Sequence, residues 1–268
     1  MIFVNQGLRM TYDDFGSGFP ILFIHGHLFN RTIWSPQVQS LRWRSRTIVP
    51  DLRGYGESEC GSDSVFTQES FACDLACLLD HLSIDRACVI GFSMGGQIAM
   101  EFARAFPQRT AALILAATFA QEETAAGVTE RNRVADRMLV EGVVPVGSEM
   151  LCKLIGPVTL KNRPLVASKV FQMICQANPV GAAAAVRGRA LRRDYRPSLA
   201  EFNGPSMIVL GSDDAYASVA DGHALQALMS DCRLEIFEDI GHIPNIEDED
   251  RFNRCLHSFL DPFVSSAL

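Results

Sequence analysis

The sequence predicts an α/β fold: a mostly parallel central sheet with helices on both faces, interrupted by one helical insertion. Three observations lead there. Continuous apolar runs such as Ile21-Leu22-Phe23-Ile24, Ala87-Cys88-Val89-Ile90 and Met207-Ile208-Val209-Leu210 recur along the chain. They lack the alternation of a half-solvated strand and suit strands buried on both faces. Helix-forming stretches separate them, which is the rhythm of a parallel sheet covered on both sides. From about Gln121 to Leu199 strand signals vanish and Ala, Leu, Val, Met and Arg dominate.

In chain order, Ile2–Val4 and Met10–Asp13 read as an opening hairpin. Ile21–Ile24 is a buried strand and Thr47–Val49 another. Ala87–Ile90 is a strand followed by a turn and the helical stretch Gln97–Phe106, which stops at Pro107. Ala112–Ala116 is the next strand. Pro145, Gly156-Pro157 and Asn178-Pro179 punctuate the insertion into several short helices. The alternation then resumes with a strand at Met207–Leu210, a helix at Ala220–Met229, a strand at Leu234–Phe237 and a closing helix at Phe252–Leu260. The simplest account is a core built from residues 1–119 and 200–268, with residues 120–199 forming a helical cap over the functional end.

Composition excludes several function classes. The 268 residues carry a net charge of −7, which argues against nucleic acid or an anionic membrane as main partner. The N-terminus lacks a basic segment followed by a long apolar one, so no signal peptide is expected, and no apolar run reaches the ~18–20 residues of a membrane span. The eight cysteines form no C-x-x-C pair and no zinc-ligand spacing; Cys73 and Cys77 lie one helical turn apart but read as small apolar filler in a reducing cytoplasm. No metal site is expected. Charge separates the insertion from the rest: residues 120–200 hold 12 Lys/Arg and 7 Asp/Glu, a net of +5 against −12 elsewhere. A solvated outer face is the preferred explanation; basic groups offered to an anionic substrate, with Arg131, Arg187 and Arg192 as contacts, is the other.

The pentapeptide Gly91-Phe92-Ser93-Met94-Gly95 fits G-x-S-x-G, and its context gives it weight. It joins a strand to a helix, the setting in which a sharp turn lifts a serine hydroxyl above the sheet. Gly91, Gly95 and Gly96 supply the room such a turn needs. A serine hydroxyl is a poor nucleophile at neutral pH; it needs a histidine to take its proton and a carboxylate to orient that histidine. On a strand–serine–helix turn the chain order is Ser, then acid, then His. The acid is expected just past a late strand, where Gly211-Ser212-Asp213-Asp214 follows Met207–Leu210. Spacing favours Asp214, with Asp213 the runner-up. The base is expected on the loop after the last strand, where His242 sits in Asp239-Ile240-Gly241-His242-Ile243-Pro244. His81, His223 and His257 fall in helical patterns.

An oxyanion formed at Ser93 needs two N–H donors. One is the Met94 N–H, at the start of the helix, where the dipole helps. The other is the N–H of His27 in Ile24-His25-Gly26-His27-Leu28-Phe29. The His27 ring faces the pocket and acts on substrate in one reading and merely lines the pocket in the other, while His25 buttresses the loop.

These residues resemble the α/β-hydrolase superfamily across nearly the whole chain. His25-Gly26 is similar to its oxyanion loop. Asp51-Leu52-Arg53-Gly54-Tyr55-Gly56-Glu57-Ser58 is similar to its D-x-R-G-x-G-x-S turn. Gly91–Gly96 resembles the nucleophile elbow and Gly241–Glu247 the histidine loop. Gly181–Asp194 and the compact cap resemble the small esterase and 3-oxoadipate enol-lactonase-like group. The resemblance implies a cofactor-free serine hydrolase of a small ester or lactone, with Ser93, Asp214 and His242 as catalytic triad. Relatives usually carry a Thr-Pro or similar turn after the acid, whereas this chain has Ala215-Tyr216-Ala217-Ser218, so Tyr216 reshapes the pocket wall. Phe29, Phe92, Phe119, Tyr216 and Ile243 are the candidate pocket walls. Acyl transfer, perhydrolysis and C–C bond hydrolysis use the same three residues and stay open, as does a small-molecule receptor with little turnover. The sequence leaves the oligomeric state open.

Overall fold

The computed structural model describes residues 1–265. Eight strands form one sheet: β1 (Ile2–Asn5), β2 (Leu8–Phe15), β3 (Pro20–Ile24), β4 (Arg46–Pro50), β5 (Ala87–Phe92), β6 (Thr110–Ala116), β7 (Ser206–Gly211) and β8 (Cys232–Phe237). Their spatial order is β1-β2-β4-β3-β5-β6-β7-β8. The pairs β1–β2 and β2–β4 are antiparallel, and every later pair is parallel.

The central strands β5, β6 and β7 are buried at every residue, as their unbroken apolar runs require. Strand periodicity sends their side chains to two cores. Phe23, Ile90, Ile114 and Val209 face one, packed with Trp34, Val38, Phe252 and Leu256 and continuing into the helical insertion. Leu22, Ile24, Val89, Leu113, Leu115 and Ile208 face the other, against Phe71, Leu75, Ile98 and Leu225. The first core is thus covered by α1 (Ser35–Leu41) and α12 (Glu249–Ser265), and the second by α2 (Gln68–His81), α3 (Met94–Ala105) and α10 (Val219–Leu228).

Between β6 and β7 lies a cap-like helical insertion: α4 (Ala125–Glu141), α5 (Val143–Leu154), α6 (Pro157–Asn162), α7 (Pro164–Cys175), α8 (Pro179–Ala190) and α9 (Arg196–Ala200). Local chemistry sets its joints. Thr124 caps α4 by accepting the Gly127 N–H, and Asn178 caps α8 by accepting those of Val180 and Gly181. Pro157, Pro164 and Pro179 each open a helix, where a missing N–H costs nothing. Pro145 falls just past the α4–α5 break at Gly142. It lies in the first turn of α5, whose N–H groups have no intrahelical acceptor. The last short helix, α11 (Pro244–Glu247), precedes α12, which starts ahead of the expected Phe252 and runs through Pro262.

The C-terminal ends of β3, β5, β7 and β8 converge at one rim of the sheet. That rim is where loops of an open parallel sheet form a crevice, and the insertion sits beside it.

Candidate active site

Ser93 follows β5 with φ 55° and ψ −115°, a left-handed backbone rarely adopted by a residue with a side chain. The turn is held by the Ser93 N–H donating to the Ala116 carbonyl (2.9 Å) and by the Thr118 hydroxyl donating to the Ser93 carbonyl (2.9 Å). Close approach makes glycine obligatory around it: a β-carbon at Gly91 would overlap the Gly95 carbonyl, and one at Gly95 would overlap that of Ile24.

His242, on the loop after β8, places Nε2 2.8 Å from the Ser93 hydroxyl and Nδ1 2.8 Å from both carboxylate oxygens of Asp214. A carboxylate only accepts, so Nδ1 carries the proton and Nε2 is free to accept from the serine. Asp214 follows β7 and its side chain is fully buried. Its Oδ1 also accepts the N–H groups of Tyr216 (2.7 Å) and Ala217 (3.0 Å). Asp213 is exposed, and among the described residues its side chain meets the Ser212 hydroxyl alone (3.3 Å). Between the two aspartates the geometry therefore separates one that reaches His242 from one that does not. The rings of Tyr216 and Phe92 lie 4.9 and 5.3 Å from the imidazole and fence it on two sides.

The loop after β3 is fastened by its own histidines. His25 Nε2 accepts the Leu52 N–H (3.0 Å), so Nδ1 is the protonated nitrogen and donates to the Gly26 carbonyl (2.8 Å). Burial pushes its pKa down, in keeping with a neutral ring. His27 Nδ1 lies 2.7 Å from the Tyr55 hydroxyl, a buried residue of the Asp51–Ser58 turn. That turn is locked by Asp51, which accepts the N–H groups of Arg31 (2.7 Å) and Glu57 (2.9 Å), and by the Arg53–Asp74 ion pair. His27 Nε2 is buried without a partner among the described residues. Burial, and then the charges of Arg189 and Arg131, hold the His27 pKa well below its ordinary value.

Ser93, His242 and His27 open onto a cavity of about 430 Å³. Of the candidate wall residues, Phe29, Phe119 and Tyr216 line it. Phe92 and Ile243 do not: both are fully buried in the core beneath it, where Phe92 packs on Phe29 and Trp34. The wall also includes Gln97 and Thr118 from the core and, from the insertion, Met138, Val146, Leu154 and Arg189. These went unremarked in the sequence because apolar and basic residues on insertion helices look alike whether they face a pocket or solvent.

Most arginines of the insertion pair with acids of the insertion itself. Arg133 pairs with Glu130, Arg137 with Glu141 and Glu149, and Arg187 with Asp136. Arg131 and Arg192 share Glu123. Burial opposes ionisation of Glu123, but hydrogen bonds from Arg192 and Arg131 outweigh it and bring the carboxyl down to about 2. Arg131 lines the cavity, whereas Arg187 and Arg192 stand outside its wall. Arg189 differs from all of these. It lines the cavity beside His27, donates to the Gln97 side-chain carbonyl (3.2 Å), and has no carboxylate within ion-pair distance among the described residues. Burial, then Arg131 and Arg192, pull its pKa below the usual arginine value. Among the described residues no cluster of His, Cys, Asp and Glu could hold a metal ion, and no helix is long and apolar enough to cross a membrane.

A family model described as the alpha/beta hydrolase fold matches residues 20–249. An uncharacterised protein of Mycobacterium tuberculosis is 31% identical, over 96% of this chain and 79% of its own length. The 3-oxoadipate enol-lactonase 2 of Acinetobacter baylyi is 27% identical, covering 96% of this chain and 95% of that one. A thermophilic esterase from Thermogutta terrifontis, solved with malate bound, superimposes with a TM-score of 0.94 at 34% identity, over 98% of this chain and 97% of that one.

Proposed function

The chain belongs to the alpha/beta hydrolase fold family, and within it we propose that it is a serine hydrolase cleaving a small carboxylic ester or lactone through an acyl-serine intermediate. The observation that carries the reading is the bridging imidazole, with Nε2 2.8 Å from the Ser93 hydroxyl and Nδ1 2.8 Å from the Asp214 carboxylate at the floor of a cavity. His242 takes the Ser93 proton as the oxygen attacks the substrate carbonyl. The N–H of Met94, the first residue of α3, is free of any intrahelical bond, and with that of His27 it receives the oxyanion. The imidazolium, held by Asp214, returns its proton to the leaving oxygen. Water then enters and gives a proton to His242 as its oxygen attacks the acyl carbonyl; the bond from that carbon to the Ser93 oxygen breaks, the serine oxygen takes the proton back from His242, and the acid leaves. Residues 120–199 act as a cap that walls the cavity, and residues 1–119 and 200–268 as the catalytic core. Eight free cysteines suit work in the reducing cytoplasm.

Arg189 supports an anionic substrate. A guanidinium stays protonated in proteins, and among the described residues this one faces the cavity with an amide oxygen as its side-chain hydrogen-bond partner. A substrate carboxylate would supply its counter-ion. The esterase relative solved with malate, a dicarboxylate, is in line with that chemistry.

The test is labelling of wild type and Ser93→Ala with a fluorophosphonate, read by intact mass, followed by hydrolysis of p-nitrophenyl esters and lactones. A single adduct on wild type that disappears in the variant is expected. A folded wild type that takes no adduct, or a Ser93→Ala variant that keeps full activity, rules the reading out.

A further inference from the structure

Glu247 is fully buried, yet none of the ion pairs found among the described residues involves its carboxylate. It is satisfied by three backbone donors. Oε2 accepts the N–H of Gly156 (2.8 Å) and of Gly241 (3.2 Å), and Oε1 accepts that of Ile243 (3.2 Å). Gly241 and Ile243 flank His242, whereas Gly156 is the corner between α5 and α6 of the insertion. The same corner is tied a second time, because the His242 N–H donates to the Leu154 carbonyl (3.0 Å). The backbones are in close contact there. A β-carbon at Gly156 would stand 2.8 Å from the Gly241 nitrogen and 3.2 Å from Glu247 Oε2. The Arg163 guanidinium, at the end of α6, donates to the Glu247 carbonyl and holds the acid's own backbone from the insertion side.

We propose that Glu247 is the positioning residue for His242, clamping the histidine loop and the α5–α6 corner of the cap into one rigid mount. The inference rests on the serine-hydrolase reading and goes beyond it. A carboxylate suits the task because both oxygens accept and all three partners donate. No other side chain of similar length offers three acceptor sites in one plane. Leu154 lines the cavity from this corner, so the base and part of the substrate wall are placed by one group. The corner stays with the core when substrate enters, and any opening of the cap occurs in the helices away from it.

Glu247→Gln tests this. The amide nitrogen replaces one acceptor oxygen and faces N–H donors, so at least one of the three bonds is lost and a donor opposes a donor. The readouts are kcat and KM separately, the rate of fluorophosphonate labelling, the melting temperature, and the downfield proton resonance of His242 Nδ1–H. The expected result is a kcat about 10- to 100-fold lower, as for loss of one to two well-made hydrogen bonds to a charged group, with KM near wild type. Labelling slows in parallel, and the Nδ1–H resonance broadens or moves. Gly156→Ala is the second variant, for the case that Glu247→Gln fails to fold. It keeps the carboxylate but forces the corner off the loop, and it is expected to lower kcat in the same selective way. A lower melting temperature with unchanged kcat, or a higher KM with unchanged kcat, overturns the inference while wild-type labelling still supports the hydrolase reading. A wild type that takes no label at all defeats both.

Discussion

Replacing Asp214 by Asn isolates the electrostatic half of the site. In the wild type Oδ1 accepts from Tyr216 and Ala217 at 2.7 and 3.0 Å, and both oxygens lie 2.8 Å from His242 Nδ1. In the variant the amide oxygen stays with the two backbone donors, since the NH2 group cannot accept from them. The NH2 is thereby turned toward Nδ1. A donor there favours the imidazole tautomer protonated at Nε2, which can only donate to Ser93 and so cannot take its proton. The same change in another Ser-His-Asp site costs about 10⁴ in kcat, or about 5.4 kcal/mol at 1.36 kcal/mol per decade. The fold should hold, because the backbone bonds to Tyr216 and Ala217 survive. The assay is hydrolysis of a p-nitrophenyl ester by Asp214→Asn and, in parallel, Asp213→Asn. Substitution of the exposed Asp213, whose side chain bonds Ser212, is expected to change kcat by less than about twofold. If Asp214→Asn keeps more than a tenth of the wild-type kcat, or Asp213→Asn falls as far, the reasoning is refuted.

Three further outcomes are expected. Arg189→Met should lower kcat/KM about 10- to 100-fold on an ester bearing a free carboxylate, as for a charge-assisted hydrogen bond of about 1.5–3 kcal/mol, and leave the matching neutral ester nearly untouched; equal losses on both would remove the anionic-substrate reading. Glu123 ionises in the folded protein at about 2 against an ordinary value of 4.5, so its stabilising contribution is full above about 4.5 and fades as the pH falls toward 2. The stability gap between wild type and Glu123→Gln, measured by urea unfolding, should therefore narrow across that window, and a constant gap would contradict the shift. Phe92→Ala should destabilise the fold by about 3–5 kcal/mol, because the ring is fully buried between Phe29, Trp34 and His242; a loss under 1 kcal/mol would place it outside the core.

What the sequence determined by itself is whatever short-range chemistry dictates. Apolar runs too continuous for a half-solvated strand marked the buried sheet. The glycines at 91 and 95 marked a turn whose atoms leave no room for a β-carbon. The order of Ser93, the Asp213-Asp214 pair and His242 along the chain named a histidine and the serine and aspartate, one of the pair, that the fold brings to 2.8 Å from its ring. The first two signals lie within a few residues, where spacing and conformation are coupled directly; the third spans 149 positions and rests on the chain order that a strand–serine–helix turn calls for. The tertiary structure alone decided matters that depend on which surfaces meet. Asp213 and Asp214 are neighbours of one residue type, and only the packing of the β7 and β8 loops turns the second toward the imidazole. Phe29 and Phe92 are equally apolar, yet one walls the cavity and the other fills the core. Arg187, Arg189 and Arg192 sit on one short stretch, but the partners that neutralise two of them and leave the third facing His27 come from α4, α3 and the segment before α4. The link from Glu247 to Gly156 spans 91 positions of sequence. No local pattern encodes it, because it exists only where two loops distant in sequence are pressed together by the sheet between them.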